Sequence, residues 1–317
     1  METTTSKYDV IIVGGGPAGL TAGLYTSRAG LKSLLLERGM LGGQMVNATL
    51  VENYPGFPEG VAGSELGSLM HRQATRYGLE MVTAEVTGIG DGRPHSVATP
   101  EGSFEAAAII IATGSEYRKL EVTGEERLSG RGVSYCATCD GFFFRNREVA
   151  VVGGGDTAIT DALELSQHAN KVYVIHRRDQ LRAGEILQRR AFAHPKLEFI
   201  WSTVVEEVLG EKTLSGLRLR NGKTGQQSIL KVDGVFVATG LMPNSRSFFD
   251  ILELDDAGYI VTDETMATST PGIFAAGDVR RNSPRQIAAA VGDGVTAAMS
   301  AFKYVQEQGN GGRSAGP

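Results

Sequence analysis

Cys136-Ala137-Thr138-Cys139-Asp140 holds the only two cysteines of a 317-residue chain. Thiols separated by two residues can close a small disulfide ring without rearranging a fold, and a helix beginning there would lower the pKa of the leading thiol. Such a pair reads as a redox switch. Three other chemistries use the same residue types: half of a zinc knuckle, a structural disulfide, or two inert core thiols. Structural zinc needs four Cys or His ligands. No second Cys pair exists, and His71, His95, His168, His176 and His194 have no ligand spacing to complete a site. Inert thiols need neither this spacing nor the acid at Asp140, a proton donor for a departing thiolate. The reading is therefore redox work at Cys136, Cys139 and Asp140, with no metal.

Electrons must reach that pair, and two glycine-rich turns are placed to bring a donor. Tyr8 to Val13 is a β-branched run that ends at Gly14-Gly15-Gly16-Pro17-Ala18-Gly19, after which Leu20, Ala22 and Leu24 continue as a helix ending near Gly30. In a strand, glycine turn, helix unit, Gly14 makes the turn and Gly16 lets backbone N–H groups approach a pyrophosphate at the helix N-terminus. Gly19 permits close helix-to-strand packing. A second strand, Lys32 to Leu36, ends at Glu37, whose carboxylate can hydrogen-bond a ribose hydroxyl.

The plan repeats 139 residues later (153 − 14). Val149 to Val152 runs into Gly153-Gly154-Gly155-Asp156-Thr157-Ala158, followed by a helix expected over Ile159 to His168 and a strand over Val172 to Ile175. The residue closing the second strand stands at the same offset in both copies, Glu37 in one and His176 in the other. The first offers an acid. The second offers His176-Arg177-Arg178 and then Arg182, guanidinium forks suited to a 2′-phosphate. The first cradle thus suits a dinucleotide with a free ribose, and the second prefers NADPH. Each copy closes in a buried strand followed by Ala-Thr-Gly, at Ala112-Thr113-Gly114 and at Ala238-Thr239-Gly240.

Between and after these copies the chain is less explicit. Leu41 to Gln44 and Glu52 to Pro58 look like loops from their Gly and Pro. A helix is expected within Pro58 to Tyr77, with Leu66, Leu69 and Met70 inward, and Met81 to Ser103 alternates like a small antiparallel sheet. Pro243 to Tyr259 is polar and loop-like. Pro271 to Asp278 then reads as one more buried strand, ending in a carboxylate at the sheet edge where ligands of open α/β sheets sit. An alanine-rich helix is expected over Gln286 to Tyr304, with a disordered tail from Gln308.

The fold class is α/β, with two Rossmann-like dinucleotide-binding domains and the second inserted in the first. The expected limits are 1–118 with 246–317 for the outer domain and 119–245 for the inserted one. With 41% hydrophobic and 21% charged residues the chain can bury two cores. A formal charge of −5 argues against nucleic acid and gives no polybasic membrane anchor. No apolar run reaches the ~18 residues of a membrane span, and no apolar leader opens the chain, so a cytoplasmic location is expected.

With both glycine turns, both Ala-Thr-Gly segments, the Cys pair and Gly277-Asp278 in this order, the sequence resembles the bacterial-type, low-molecular-weight thioredoxin reductases from Tyr8 to about Tyr304. The resemblance implies FAD on Gly14, Gly16, Pro17, Ala18, Gly19, Glu37 and Arg38, with Gly43, Gln44 and Asn53 as flavin-side loop residues. It makes Asp278 a ribityl ligand and Arg285-Gln286 a further flavin contact. It implies NADPH on Gly153, Gly155, Asp156, Thr157, His176, Arg177, Arg178 and Arg182. A homodimer and a thioredoxin-like protein substrate follow from it too. It assigns Cys139 to the flavin, Cys136 to attack on the partner and Asp140 to acid/base work, three roles that spacing alone does not distinguish. The family pattern often has two acids where this chain has Thr160-Asp161, and the carboxylate of Asp156 close to a pyrophosphate is expected to weaken NADPH binding. Two rivals stand beside this reading. One is a flavin disulfide oxidoreductase of the same scaffold that uses O2 or ferredoxin; the other is a non-enzymatic redox sensor.

Overall fold

Val10, Ile11, Ile12 and Val13 are all buried, because the strand they form, β1 (Ser6–Val13), is covered on both faces. Successive residues serve different cores: Val10 and Ile12 pack with Ala108 and Ile110 on one face, Ile11 and Val13 with Ile109 and Ile111 on the other. Each such fully buried aliphatic side chain contributes roughly 2–3 kcal/mol relative to exposure. The structure is a computed structural model and describes residues 6–48 and 50–311. Two units divide the chain, one of Met1–Glu116 with Met242–Pro317 and one of Tyr117–Leu241.

In the first unit β1 leads to α1 (Pro17–Arg28), β2 (Ser33–Glu37), α2 (Gly63–Thr75), β3 (Glu80–Thr83), β4 (Gly88–Gly90), β5 (His95–Thr99) and β6 (Gly102–Ile111). The sheet runs β3-β2-β1-β6-β5-β4. Its first four strands are parallel, while β6, β5 and β4 are antiparallel neighbours. The Met81 to Ser103 stretch therefore does not form a separate small sheet: β3 extends the parallel sheet beside β2, and β4 and β5 extend its other side. Alternation fixes a strand's faces but not the sheet it joins. In α2, Leu66 is buried but Leu69 is exposed, contrary to its expected inward position. Leu41 to Gln44 leads into a 3-10 turn, Gly43–Asn47, rather than an open loop.

The chain leaves through β7 (Ser115–Tyr117). The second unit follows with β8 (Val133–Ser134), α3 (Ala137–Asp140), β9 (Glu148–Val152), α4 (Asp156–Leu165), β10 (Lys171–Ile175), α5 (Glu185–Phe192) and β11 (Leu197–Ile200). The antiparallel trio β12 (Thr203–Leu209), β13 (Gly216–Asn221) and β14 (Gln227–Leu230) precedes β15 (Gly234–Val237). Here the main sheet runs β11-β10-β9-β15-β8, with every pair parallel. Helix α4 starts at Asp156, three residues earlier than expected. Gly155 is extended (φ −97°, ψ −177°) and an acid stands in the first turn, where the helix dipole favours it.

β16 (Leu241–Pro243) pairs with β7, so the outgoing and returning crossings form one two-stranded ribbon. Back in the first unit, β17 (Ile273–Ala275) pairs with β6, and α6 (Ile287–Gly311) lies along α1. Alanines at 290, 297, 298 and 301 are buried, and a Cβ on Gly294 would come within 2.3 Å of the Ala18 carbonyl, so small residues set this close approach. The helix runs past Tyr304 through the start of the expected tail, because each added residue extends an existing hydrogen-bonded ladder. The rest of that tail, 312–317, lies outside the described residues.

Candidate active site and nucleotide cradles

β8 is two residues long and delivers the chain to the carboxyl edge of its sheet, where it turns sharply at the cysteines. Cys136 is the N-cap of α3, and its Sγ accepts the Cys139 N–H at 3.2 Å. The Asp140 N–H closes the turn on the Cys136 carbonyl at 3.1 Å. Cys136 and Cys139 are joined as a disulfide, with Cα atoms 5.3 Å apart. Ser134, which the sequence did not single out, binds both ends of this turn. Its Oγ accepts the Cys136 N–H at 3.1 Å and donates to Asp140 Oδ2 at 2.6 Å. Burial raises the Asp140 pKa, and the Ser134 bond opposes that rise by favouring the charged form. Beside the turn, the Tyr135 hydroxyl donates to Glu125 Oε1 at 2.9 Å, and the Tyr135 ring stacks on Tyr117 at 5.2 Å. Glu125 is buried and also accepts the N–H groups of Leu120 and Glu121.

In the first unit, β1, β2 and β6 end level, Val13 lying opposite Leu36 and Ile111. The glycine turn sits at that edge. Gly14 has φ +107°, and a Cβ there would lie 2.4 Å from the Ala112 carbonyl oxygen. A Cβ on Gly19 would lie 1.8 Å from the Gly14 oxygen. Gly16 is different. Its φ is −75°, and a Cβ would meet nothing nearer than Gly43 Cα at 3.9 Å. Nothing in the packing of the described residues requires glycine at 16, so the open backbone at the start of α1 fits a pyrophosphate. Pro17 and Ala18 form the first turn of that helix, and Gln44 is exposed on the neighbouring 3-10 turn.

Glu37 closes β2, where its carboxylate accepts the Gly15 N–H at 2.5 Å and the Gly39 N–H at 2.9 Å. Arg38 pairs with Glu116. From β17, Gly277 comes against Ala18, its added Cβ lying 3.0 Å from that of Ala18. This brings Asp278 to the start of α1. Burial raises the Asp278 pKa, opposed by the Ser283 hydroxyl donating to Oδ1 at 2.9 Å. Asp293 of α6 pins this segment, accepting the Gly277 N–H at 3.0 Å and a two-pronged bond from Arg280 at 2.6 and 2.8 Å. Asn53 donates to Gln286 Oε1 at 3.1 Å, and Arg285, at φ +57°, donates to the Tyr259 hydroxyl at 3.2 Å. The structure thus gathers Gly14, Gly16, Gly19, Glu37, Gly43 and Asp278 around one helix start, joins Asn53 to Gln286, and turns Arg38 to Glu116.

The second cradle repeats the frame. A Cβ on Gly153 would lie 2.5 Å from the Ala238 oxygen, whereas one on Gly155 would meet nothing nearer than Arg182 Nη2 at 4.0 Å. His176 lies over Gly154, its ring 2.4 Å from where a Cβ would be. It is 4% exposed, and its Nε2 lacks a hydrogen-bond partner among the described residues. Burial, then Arg182, Arg178 and Arg177, lower its pKa, so it is neutral at pH 7. A cavity of about 500 Å³ opens beside it, lined by Arg177, Arg178, Asp179, Arg182, Ser202 and Lys223 among others. Lys223, on the β13–β14 hairpin, donates to Asp179 at 2.7 Å. The Asp156 carboxylate accepts the Gly184 N–H at 2.7 Å, so one of its oxygens is already engaged at the start of α5. Thr157 is exposed in the first turn of α4.

A closed Cys-x-x-Cys ring and a cationic dinucleotide cradle on one unit, with a second dinucleotide cradle on the other, define a two-nucleotide disulfide oxidoreductase. Residues 8–294 match the pyridine nucleotide-disulphide oxidoreductase family. The chain is 53% identical over 309 residues to the thioredoxin reductase of Listeria monocytogenes, covering 97% of both chains, and 48% identical over 302 residues to that of Bacillus subtilis, covering 95% of both. Among solved structures it matches thioredoxin reductase from Streptococcus pyogenes at a TM-score of 0.92 and 45% identity, over 96% of this chain and 100% of that one. The Lactococcus lactis thioredoxin reductase in its FR conformation matches at 0.65 and 48%, over 95% and 99%. The chain belongs to the pyridine nucleotide-disulphide oxidoreductase family, on its bacterial thioredoxin reductase side, and that family implies FAD and NADPH. No helix among the described residues is long and apolar enough to cross a membrane.

Proposed function

We propose that the protein is a thioredoxin-disulfide reductase, with the first unit holding FAD and the inserted unit holding NADPH and the redox pair. The observation that carries this is the Cys136–Cys139 disulfide at a sheet edge with the half-buried carboxyl of Asp140 bonded into the same turn; relatives of about 50% identity over nearly the whole chain support it. When bound, NADPH would supply a hydride and FAD the means to pass its two electrons to the disulfide. The chain's own part is to hold these groups and handle protons. Gly14, Gly16 and Gly19 present the N-terminus of α1 to the FAD pyrophosphate, with Glu37 at the ribose and Asp278 at the ribityl chain. Gly153, Gly155 and Thr157 do the same for NADPH, and Arg177, Arg178 and Arg182 grip the 2′-phosphate. With the pair reduced, the Cys136 thiolate attacks a disulfide of the protein substrate, forming a mixed disulfide and releasing one substrate thiolate. Cys139 then displaces the second substrate sulfur, which re-forms the Cys136–Cys139 bond. Each departing thiolate takes a proton, and Asp140 is the donor in the turn. The net exchange oxidises one dithiol and reduces one disulfide.

The active molecule is a cytoplasmic homodimer in this reading. Met299 and Phe302 on α6, Tyr25 on α1 and Leu69 on α2 stay exposed on the first unit, apolar surface of the kind a second copy covers.

Anaerobic titration of the purified flavoprotein with NADPH and then NADH is the test. Bleaching at low NADPH, at NADH concentrations only 10-fold or more higher, and steady turnover with a thioredoxin disulfide are expected. A flavin that neither nucleotide bleaches would overturn the donor assignment and favour the ferredoxin or O2 reading; bleaching without turnover would leave a sensor.

A further inference from the structure

Ser134 is 5% exposed, and it carries no charge and no sulfur, yet its hydroxyl is bonded at both ends of the disulfide turn. A hydroxyl has one proton to give. The bond to Asp140 Oδ2 is 2.6 Å and the alternative, to the Cys136 carbonyl, is 3.3 Å, so the proton goes to the carboxylate. Its lone pair accepts the Cys136 N–H at 3.1 Å. The backbone of the first cysteine is thereby linked through one oxygen to the acid that follows the second.

We propose that Ser134 is a positioning residue for disulfide exchange: it holds the Asp140 carboxylate against the Cys136–Cys139 turn and keeps it ionisable there. The proposal rests on the reading of Asp140 as the proton donor. Without the hydroxyl, burial alone would act on Asp140, and the charged form would lose its one side-chain donor. The neighbouring elements add little of their own. β8 and the 3-10 turn Gly141–Phe144 carry no ionisable side chain besides those of the turn itself. The packed helix α4 and the residues after it carry Asp156, Asp161, Glu164 and His168. Asp156 bonds to Gly184, Glu164 accepts from Thr138, and His168 makes an edge contact with Phe142. Burial and Ser134 account for the displacement of Asp140.

The experiment follows the Asp140 carboxyl by infrared difference titration in the oxidised holoenzyme, assigned by the signal that Asp140→Asn removes. Ser134→Ala is expected to move the midpoint upward by about half to one pH unit, the size of a lost charge-assisted hydrogen bond partly replaced by water. Ser134→Thr, which keeps the hydroxyl, is expected to return it toward the parent value. The Cys136 amide should exchange faster in the alanine variant alone. In turnover with a protein disulfide, the pH limb that Asp140→Asn abolishes should shift by the same amount. An unchanged midpoint in Ser134→Ala, or a threonine variant that titrates like alanine, overturns the proposal. Should the titration shift while the parent enzyme reduces no protein disulfide, the positioning stands and the assigned reaction fails.

Discussion

Gly14 and Gly153 meet the same obstacle, a carbonyl from the Ala-Thr-Gly strand at 2.4 and 2.5 Å from an added Cβ, and Gly16 and Gly155 share the same freedom, with 3.9 and 4.0 Å of clearance. The middle glycines, Gly15 and Gly154, both lie beneath the residue that closes the second strand. There the copies part. Glu37 turns its carboxylate to the Gly15 N–H, whereas His176 lays a neutral ring over Gly154 with three arginines nearby. Backbone geometry is thus the common solution to holding a pyrophosphate, and one side chain with its neighbours decides what stands on the ribose. The helices differ as well. α1 touches its turn through Gly19, and α4 does so through Ala158.

The last difference gives the largest expected effect. Gly19→Ala puts a methyl 1.8 Å from a backbone oxygen that cannot withdraw without opening the turn. It should cost about 3 kcal/mol or more, read as a fall in Tm together with loss of bound flavin. Ala158→Gly in the other copy should cost only ~1 kcal/mol. Equal losses from the two would break the comparison.

Gly16→Ala and Gly155→Ala sharpen it in the opposite sense. Neither methyl would come closer than ordinary van der Waals contact, so the stability of the nucleotide-free protein should stay within about 0.5 kcal/mol of the parent. Both should still weaken their own dinucleotide by 10-fold or more, about 1.4 kcal/mol, measured by FAD retention for the first and by NADPH titration for the second. A variant that loses stability without losing affinity would make these glycines structural.

Such positions were legible because their job is set by spacing along a strand, a turn and a helix, and spacing is what a sequence displays. The cysteine pair, both glycine turns and the two Ala-Thr-Gly strand ends were readable for that reason. Ser134 was not, since a serine two residues before a cysteine acquires a role only when the turn closes and brings Asp140 to its hydroxyl. Lys223 reaches the arginine cavity through a hairpin, from a stretch of sequence that carries no sign of a nucleotide. The carboxylate of Asp156, expected close to a pyrophosphate, has one of its oxygens taken by the Gly184 N–H. The β3 to β5 region departs from the expected separate sheet because alternating residues state which faces are buried and leave open which strand lies alongside.

One further pair of matched positions separates the copies, with a smaller effect. Ala22 of α1 is fully buried, and its counterpart on α4 is Asp161, a carboxyl whose pKa burial, with Glu164 beside it, raises to about 7. A raised acid pKa means that between about pH 4 and pH 7 the folded chain keeps a proton the unfolded chain has lost. Stability therefore falls as pH rises through that window and stays lower above it. Full conversion of the shift would give about 4 kcal/mol, but Asp161 is only half-buried, and solvent screening reduces the expected loss to roughly 1–2 kcal/mol. Asp161→Asn removes the titration. The gain in Tm over the parent should be near zero at pH 4, grow to pH 7 and then level off. Glu164→Gln, which takes away the smaller cause, should recover only part of it. If Asp161→Asn raised Tm equally at pH 4 and pH 8, the benefit would come from packing, and this position would no longer distinguish a helix that buries an alanine from one that half-buries an acid.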